Sequence, residues 1–135
     1  AVLGNRRFTK TYDLMKGQLS LTFTTVDTAA SERINTIVRK LKVLEDPVAF
    51  RAFATKINLV YLLKESRMAG KVRTFEVPMA ATPDELLAVF EERFDGFDES
   101  MVQVFSRAAN TFVNLKASLI DACFDEAFYK GAGPF

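Results

Sequence analysis

The C-terminal third of the chain constrains the fold more than any other stretch. Met101, Phe105, Ala108, Phe112, Leu115, Leu119 and Ala122 recur by fours and threes, and Val102, Ala109, Val113, Ile120, Cys123 and Ala127 line the flank beside them. That spacing puts the apolar side chains on one face of an α-helix and argues against a strand, whose period is two. With Asp98 as its cap, the helix is expected over 99–130. At 1.5 Å per residue it is roughly 45 Å long, more than a compact domain of this size requires. Such a helix either crosses the whole domain or leaves it.

The other end of the chain alternates. Phe8, Tyr12 and Leu14 precede Lys16-Gly17, after which Leu19, Leu21 and Phe23 interleave with Ser20, Thr22 and Thr24. This predicts a β-hairpin over 8–25 with Gly17 in the turn, one face buried and one polar. A lone ribbon is marginal in water, so it has to lie on helices or on more sheet.

Between these ends, start and stop signals divide the chain. A helix is expected over 28–44, capped by Asp27 or Thr28, with Ile34, Ile37, Val38 and Leu41 on one stripe and Arg33, Arg39, Lys40 and Lys42 on the other face. Asp46-Pro47 opens a second helix, with Phe50, Phe53, Ala54, Ile57, Val60 and Tyr61 in step, expected over 47–67 and stopped by Gly70. The β-formers Val72, Thr74, Phe75 and Val77 predict a third strand over 71–77 that pairs with the hairpin. Thr82-Pro83-Asp84-Glu85 is a capping box for a helix over 83–95, ended by Gly96. The sum is a helix-dominated α+β domain over 1–130, a small antiparallel sheet on about four helices, followed by a flexible Gly-rich tail at 131–135 that ends on Phe135.

Charge is split along the chain. Residues 1–73 carry fourteen Lys and Arg against six Asp and Glu, while residues 74–135 carry four against eleven, although the whole chain is only +1. The halves either pair within the fold or meet the opposite half of a neighbouring molecule. On the basic side Arg39, Lys40 and Lys42 form a candidate interface. On the acidic side Asp84, Glu85, Asp98 and Glu99 sit where helix starts favour them, but Glu91, Glu92 and Asp95 lie at the wrong end of their helix for that explanation. They make a candidate docking face for a basic partner, and Phe135 is a third candidate contact.

The residue types argue against chemistry. The chain has no histidine, which removes the commonest general base and the usual metal ligand. Its six glycines are scattered and form no phosphate loop, and its one cysteine, Cys123, has no zinc-type spacing and is expected to be a buried, inert thiol. Asp121, Asp125 and Glu126 read as a solvated acidic face rather than a cation site. No cofactor or metal is expected. Arg6, Arg7, Lys10 and Lys16 with Arg39, Lys40 and Lys42 could touch phosphate but lack an aromatic-and-basic recognition signature, so nucleic acid is not an expected partner. No run of about 18 apolar residues occurs and no charged-then-apolar leader precedes the hairpin, so a cytoplasmic chain is expected. With Ala1 first, the chain is expected to be processed or a piece of a longer product.

Two phrases carry a family resemblance. FTKTYDLMKGQLSLTFTTV (8–26) resembles the opening hairpin of small tail proteins of tailed bacteriophages, where a short strand, a glycine turn and an LxLTFxT strand lead into a helix. FVNLKASL (112–119) with the aromatic stop FYKG (128–131) is similar to their end, and together the phrases cover about a quarter of the chain. The resemblance implies a non-enzymatic structural or assembly protein of the tail, at the baseplate or tail tip. It would be oligomeric, partnered by other virion proteins, and found in the host cytoplasm during assembly and then in the virion tail. A cellular helical adaptor that binds a basic protein is the alternative.

Overall fold

In the computed structural model the described residues are 8–43 and 46–127, with side chains described through 122. The elements run β1 (Thr9–Leu14), β2 (Leu19–Thr24), α1 (Thr28–Lys42), α2 (Pro47–Leu62), β3 (Leu63–Met68), β4 (Lys71–Thr74), α3 (Pro83–Phe94) and α4 (Glu99–Ala127). This is the expected helix-dominated α+β class: four helices and one antiparallel sheet in the order β1-β2-β3-β4.

The caps act as their residue types dictate. Asp27 accepts the Ala30 N–H at 2.9 Å to start α1, and Asp46 accepts the Val48 N–H at 3.0 Å beside Pro47 to start α2. Thr82 Oγ1 accepts the Glu85 N–H at 3.2 Å, while the Glu85 carboxylate takes the Thr82 hydroxyl at 3.0 Å and the Ala81 N–H at 3.3 Å. These bonds satisfy donors that the first helical turns leave without partners.

Two expected boundaries are corrected. The helix expected over 47–67 ends at Leu62, and Leu63–Met68 is a strand paired antiparallel with β2. Lys64, Glu65, Arg67 and Met68 are good helix formers, but β2 buries Leu19, Leu21 and Phe23 completely and needs a neighbour on its second edge. The tertiary demand overrides the local preference. Gly70 accordingly stops no helix: with Ala69 it forms the two-residue turn between Met68 and its partner Lys71. The strand expected over 71–77 is Lys71–Thr74 and pairs with β3, not with the hairpin. The hairpin itself pairs as expected, from Thr9↔Thr24 to Leu14↔Leu19, with Gly17 at φ 85° in its turn.

α2 lies between two apolar clusters. Its Leu59 and Leu62 join Leu63, the buried side chains of β2, and Phe105, Ala109 and Phe112 of α4. Its Ile57, Val60 and Tyr61 meet Ala30, Ile37 and Leu41 of α1 and Leu86 of α3. Rings do much of the packing: Phe112 stacks between Phe8 and Phe23 at centroid distances of 5.7 and 5.6 Å. Phe94, Phe97 and Phe105 form a mutually edge-on triad. Each such pair contributes about 0.5–1.5 kcal/mol beyond area burial.

Between β4 and α3 the chain runs as an extended strap, tied down by side chains from three helices. Arg33 donates to the Pro78 carbonyl at 3.0 Å, the Tyr61 hydroxyl donates to Ala80, and Arg93 donates to Glu76. Arg33 therefore does not belong to the solvated face of α1. It reaches inward while Arg39, Lys40 and Lys42 stay exposed.

Candidate protein–protein interface

α4 enters above the end of the sheet where Leu19 and Met68 lie and passes Phe23 at Phe112. Through Val113 its apolar face packs on the first cluster. Beyond that point none of the side chains through Ala122 is buried. The face does not change character there: on a helix, Leu115, Leu119 and Ile120 continue the stripe of Phe105, Ala108, Ala109 and Phe112. Leu115 is 37% exposed and Ile120 45%. The long helix thus does both things its length permits, crossing the sheet with its first half and leaving it with its second.

The charged candidates lie apart. Arg39, Lys40 and Lys42 occupy the last turn of α1. Glu91, Glu92 and Asp95 lie exposed at the far end of α3, the end that packs into the first cluster through Phe94. One link joins the basic helix to α3. The Glu85 carboxyl is held below the usual range by the Ala81 N–H first and the Thr82 hydroxyl next, with Lys40 adding a small field. Phe135 lies outside the described residues, as do the side chains of Cys123, Asp125 and Glu126.

Arg93, the one base in the acidic stretch, directs its hydrogen bonds away from its acidic neighbours. Its Nη1 donates to the Val60 carbonyl at 2.7 Å, in the last turn of α2, and its guanidinium lies 5.2 Å from the centre of the Phe75 ring. Burial pushes its pKa down, and the Glu92 charge partly offsets that. Glu91, Glu92 and Asp95 remain exposed beside it as an acidic surface. No sequence signal marks this inward turn, because the acceptors are backbone carbonyls of distant residues.

Among the described residues no three His, Cys, Asp or Glu side chains are grouped so as to hold a metal ion, and no helix is long and apolar enough to cross a membrane. Fold and surfaces define an α+β domain whose last helix has no buried side chain over 114–122 among the described residues. Compared with protein-family models, curated proteins and solved structures, the chain returns no match.

Proposed function

We propose that the chain is a non-enzymatic structural or assembly subunit of a bacteriophage tail, at the baseplate or tail tip, working by protein–protein contact. The observation that carries the contact reading is the distal half of α4, whose apolar face continues past Val113 with no buried cluster beneath it among the described residues. A stripe of that kind is stable in water mainly when another surface covers it. The two phrases that resemble those of small tail proteins support the phage setting, and the absence of histidine supports a role without general-base chemistry. Deleting the gene from its phage genome is expected to give particles with missing or incomplete tails, and mass spectrometry of purified virions then separates a permanent component from an assembly chaperone. Normal, infective tails in the deletion strain would end the assignment.

A second reading is favoured by the inward turn of Arg93, which leaves Glu91, Glu92 and Asp95 as an acid face for a basic protein. In a cellular adaptor of that kind, reversing the three charges to lysine weakens binding to the basic partner and flattens its salt dependence. Unchanged affinity rules it out.

A further inference from the structure

A cleft of about 660 Å³ opens at the end of the sheet opposite the projecting helix, lined by Met15, Leu19, Arg67, Met68, Gly70 and Met101 among others. Its volume falls within the roughly 300–1,000 Å³ of ligand-sized sites. Three of the chain's four methionines meet here. The strand register brings them together: the turn after Leu14 and the turn after Met68 lie side by side, with the Ala69 N–H donating to the Gln18 carbonyl at 3.4 Å, and Met101 opens α4 above them.

The same two turns hold every non-glycine residue with left-handed φ among the described residues: Met15 at 53°, Lys16 at 57° and Ala69 at 50°. Such a conformation costs about 1–2 kcal/mol for a residue with a Cβ, and Gly or Asn normally takes it. The chain instead puts a methionine there and leaves it 52% exposed. Left-handed φ at both Ala69 and Gly70 is what their two-residue hairpin turn requires, so the feature that turn geometry does not account for is the exposed methionine at Met15. Methionine suits a contact surface because its thioether adapts to irregular apolar surfaces. Arg67 lines the cleft, and Lys16 and Lys71 flank its turns. Asp98 and Glu99, just before Met101, are placed where the start of α4 favours them.

We propose that copies of this chain associate head to tail, the projecting end of α4 from one molecule seating in the methionine cleft of the next; this deepens the assembly reading and rests on it. The occupant is argued from charge and reach. The described end of α4 carries Leu119, Ile120 and Asp121, and the sequence on to 127 adds two acids and no base, opposite in sign to Arg67 in the cleft lining and to Lys16 and Lys71 beside its turns. A helix does not fill its own cleft, because Met101 is part of the cleft wall and Ile120 lies about 28 Å further along the same axis. The donor end therefore comes from a second molecule. Donor and acceptor are different surfaces at opposite ends, so the contact is heterologous and repeats into a ring or an open filament.

Sedimentation velocity on the full chain tests this, across concentration and at low and high salt. Wild type is expected to form oligomers that grow with concentration and shrink in high salt. A helix variant, L119K with I120K, and a cleft variant, M15N with K71E, are expected each to weaken self-association at least about tenfold. Circular dichroism verifies that both fold, and M15N also relieves the turn. Mixed in equal amounts, the two variants should form dimers and nothing larger, because each keeps one working end. Oligomers of the cleft variant as large as wild type would overturn the proposal in favour of helix-to-helix pairing. A mixture that stays monomeric, or a wild type that is monomeric throughout, also overturns it. The gene-deletion phenotype judges the assembly reading separately.

Discussion

Replacing Arg93 by methionine keeps most of the aliphatic stem and removes the guanidinium fork. The fork donates to Val60, whose carbonyl is among the last four of α2 and so lacks an intrahelical partner, and to Glu76 in the strap. A hydrogen bond to a charged group contributes about 1.5–3 kcal/mol, and a cation at a helix C-terminus adds a few tenths. Against this stands the cost of burying the guanidinium, the same effect that pushes its pKa down. The net loss for R93M is expected to be about 3 kcal/mol, a large share of the roughly 5–15 kcal/mol of an ordinary domain. In a chain of this length that lowers Tm by about 10 °C. Urea unfolding followed by far-UV circular dichroism measures it, with the m-value unchanged if the denatured state is unaffected. R93K retains a charge but not the two-pronged reach and should lose about half as much. E92Q, on the exposed neighbour, should stay within about 0.5 kcal/mol of wild type. If R93M loses less than about 1 kcal/mol, the guanidinium does not pin the strap, and its role as the inward counterpart of the acid face is refuted.

F112A removes the ring held between Phe8 and Phe23 and should cost about 3–5 kcal/mol in the same assay. Two tyrosines should behave oppositely: Y61F loses the hydrogen bond to the Ala80 carbonyl and costs about 1 kcal/mol, whereas the buried Tyr12 hydroxyl has no hydrogen-bond partner among the described residues, so Y12F is neutral or stabilising. Burial raises the pKa of both hydroxyls above the ordinary value near 10. The cost of ionising them in the folded state is therefore absent below about pH 10, and stability falls as pH climbs from there through the raised folded values. Ultraviolet titration of phenolate formation alongside circular dichroism should show both ionising late, together with alkaline unfolding. A69N places a residue that tolerates left-handed φ beside Gly70 and should raise stability by up to about 1 kcal/mol.

Local signals were readable where a side chain acts on its own neighbourhood. The caps at Asp27, Asp46 and Thr82, the hairpin with Gly17 and the 4-3 stripe of α4 all involve residues within a few positions of one another. What was hidden is non-local. Leu63–Met68 carries helix-forming residues and becomes a strand because β2 lies open beside it; the weak clue was Ala69-Gly70 between two short runs. Arg33 and Arg93 look like surface charges in sequence, yet they bind carbonyls of Pro78, Val60 and Glu76. No spacing rule relates Met15, Met68 and Met101, which meet only through strand register. The candidate residues Arg39, Lys40, Lys42, Glu91, Glu92 and Asp95 were readable as exposed charge, because runs of like charge are seldom buried.

The sequence of α4 leaves open where its partner changes, and strand length decides it. β2 has six residues and covers about 20 Å, while α4 has twenty-nine and covers about 43 Å. Since the helix enters at Leu19 and reaches Phe23 by Phe112, the sheet is used up with roughly half the helix remaining. Had the chain needed only a lid for its sheet, polar residues could follow Val113 on that face at no cost to the fold. Instead Leu115, Leu119 and Ile120 hold the register set by Phe105 and Phe112. A face that stays apolar after its own sheet has ended, and that no described residue covers, is what the proposed contact with a second molecule accounts for.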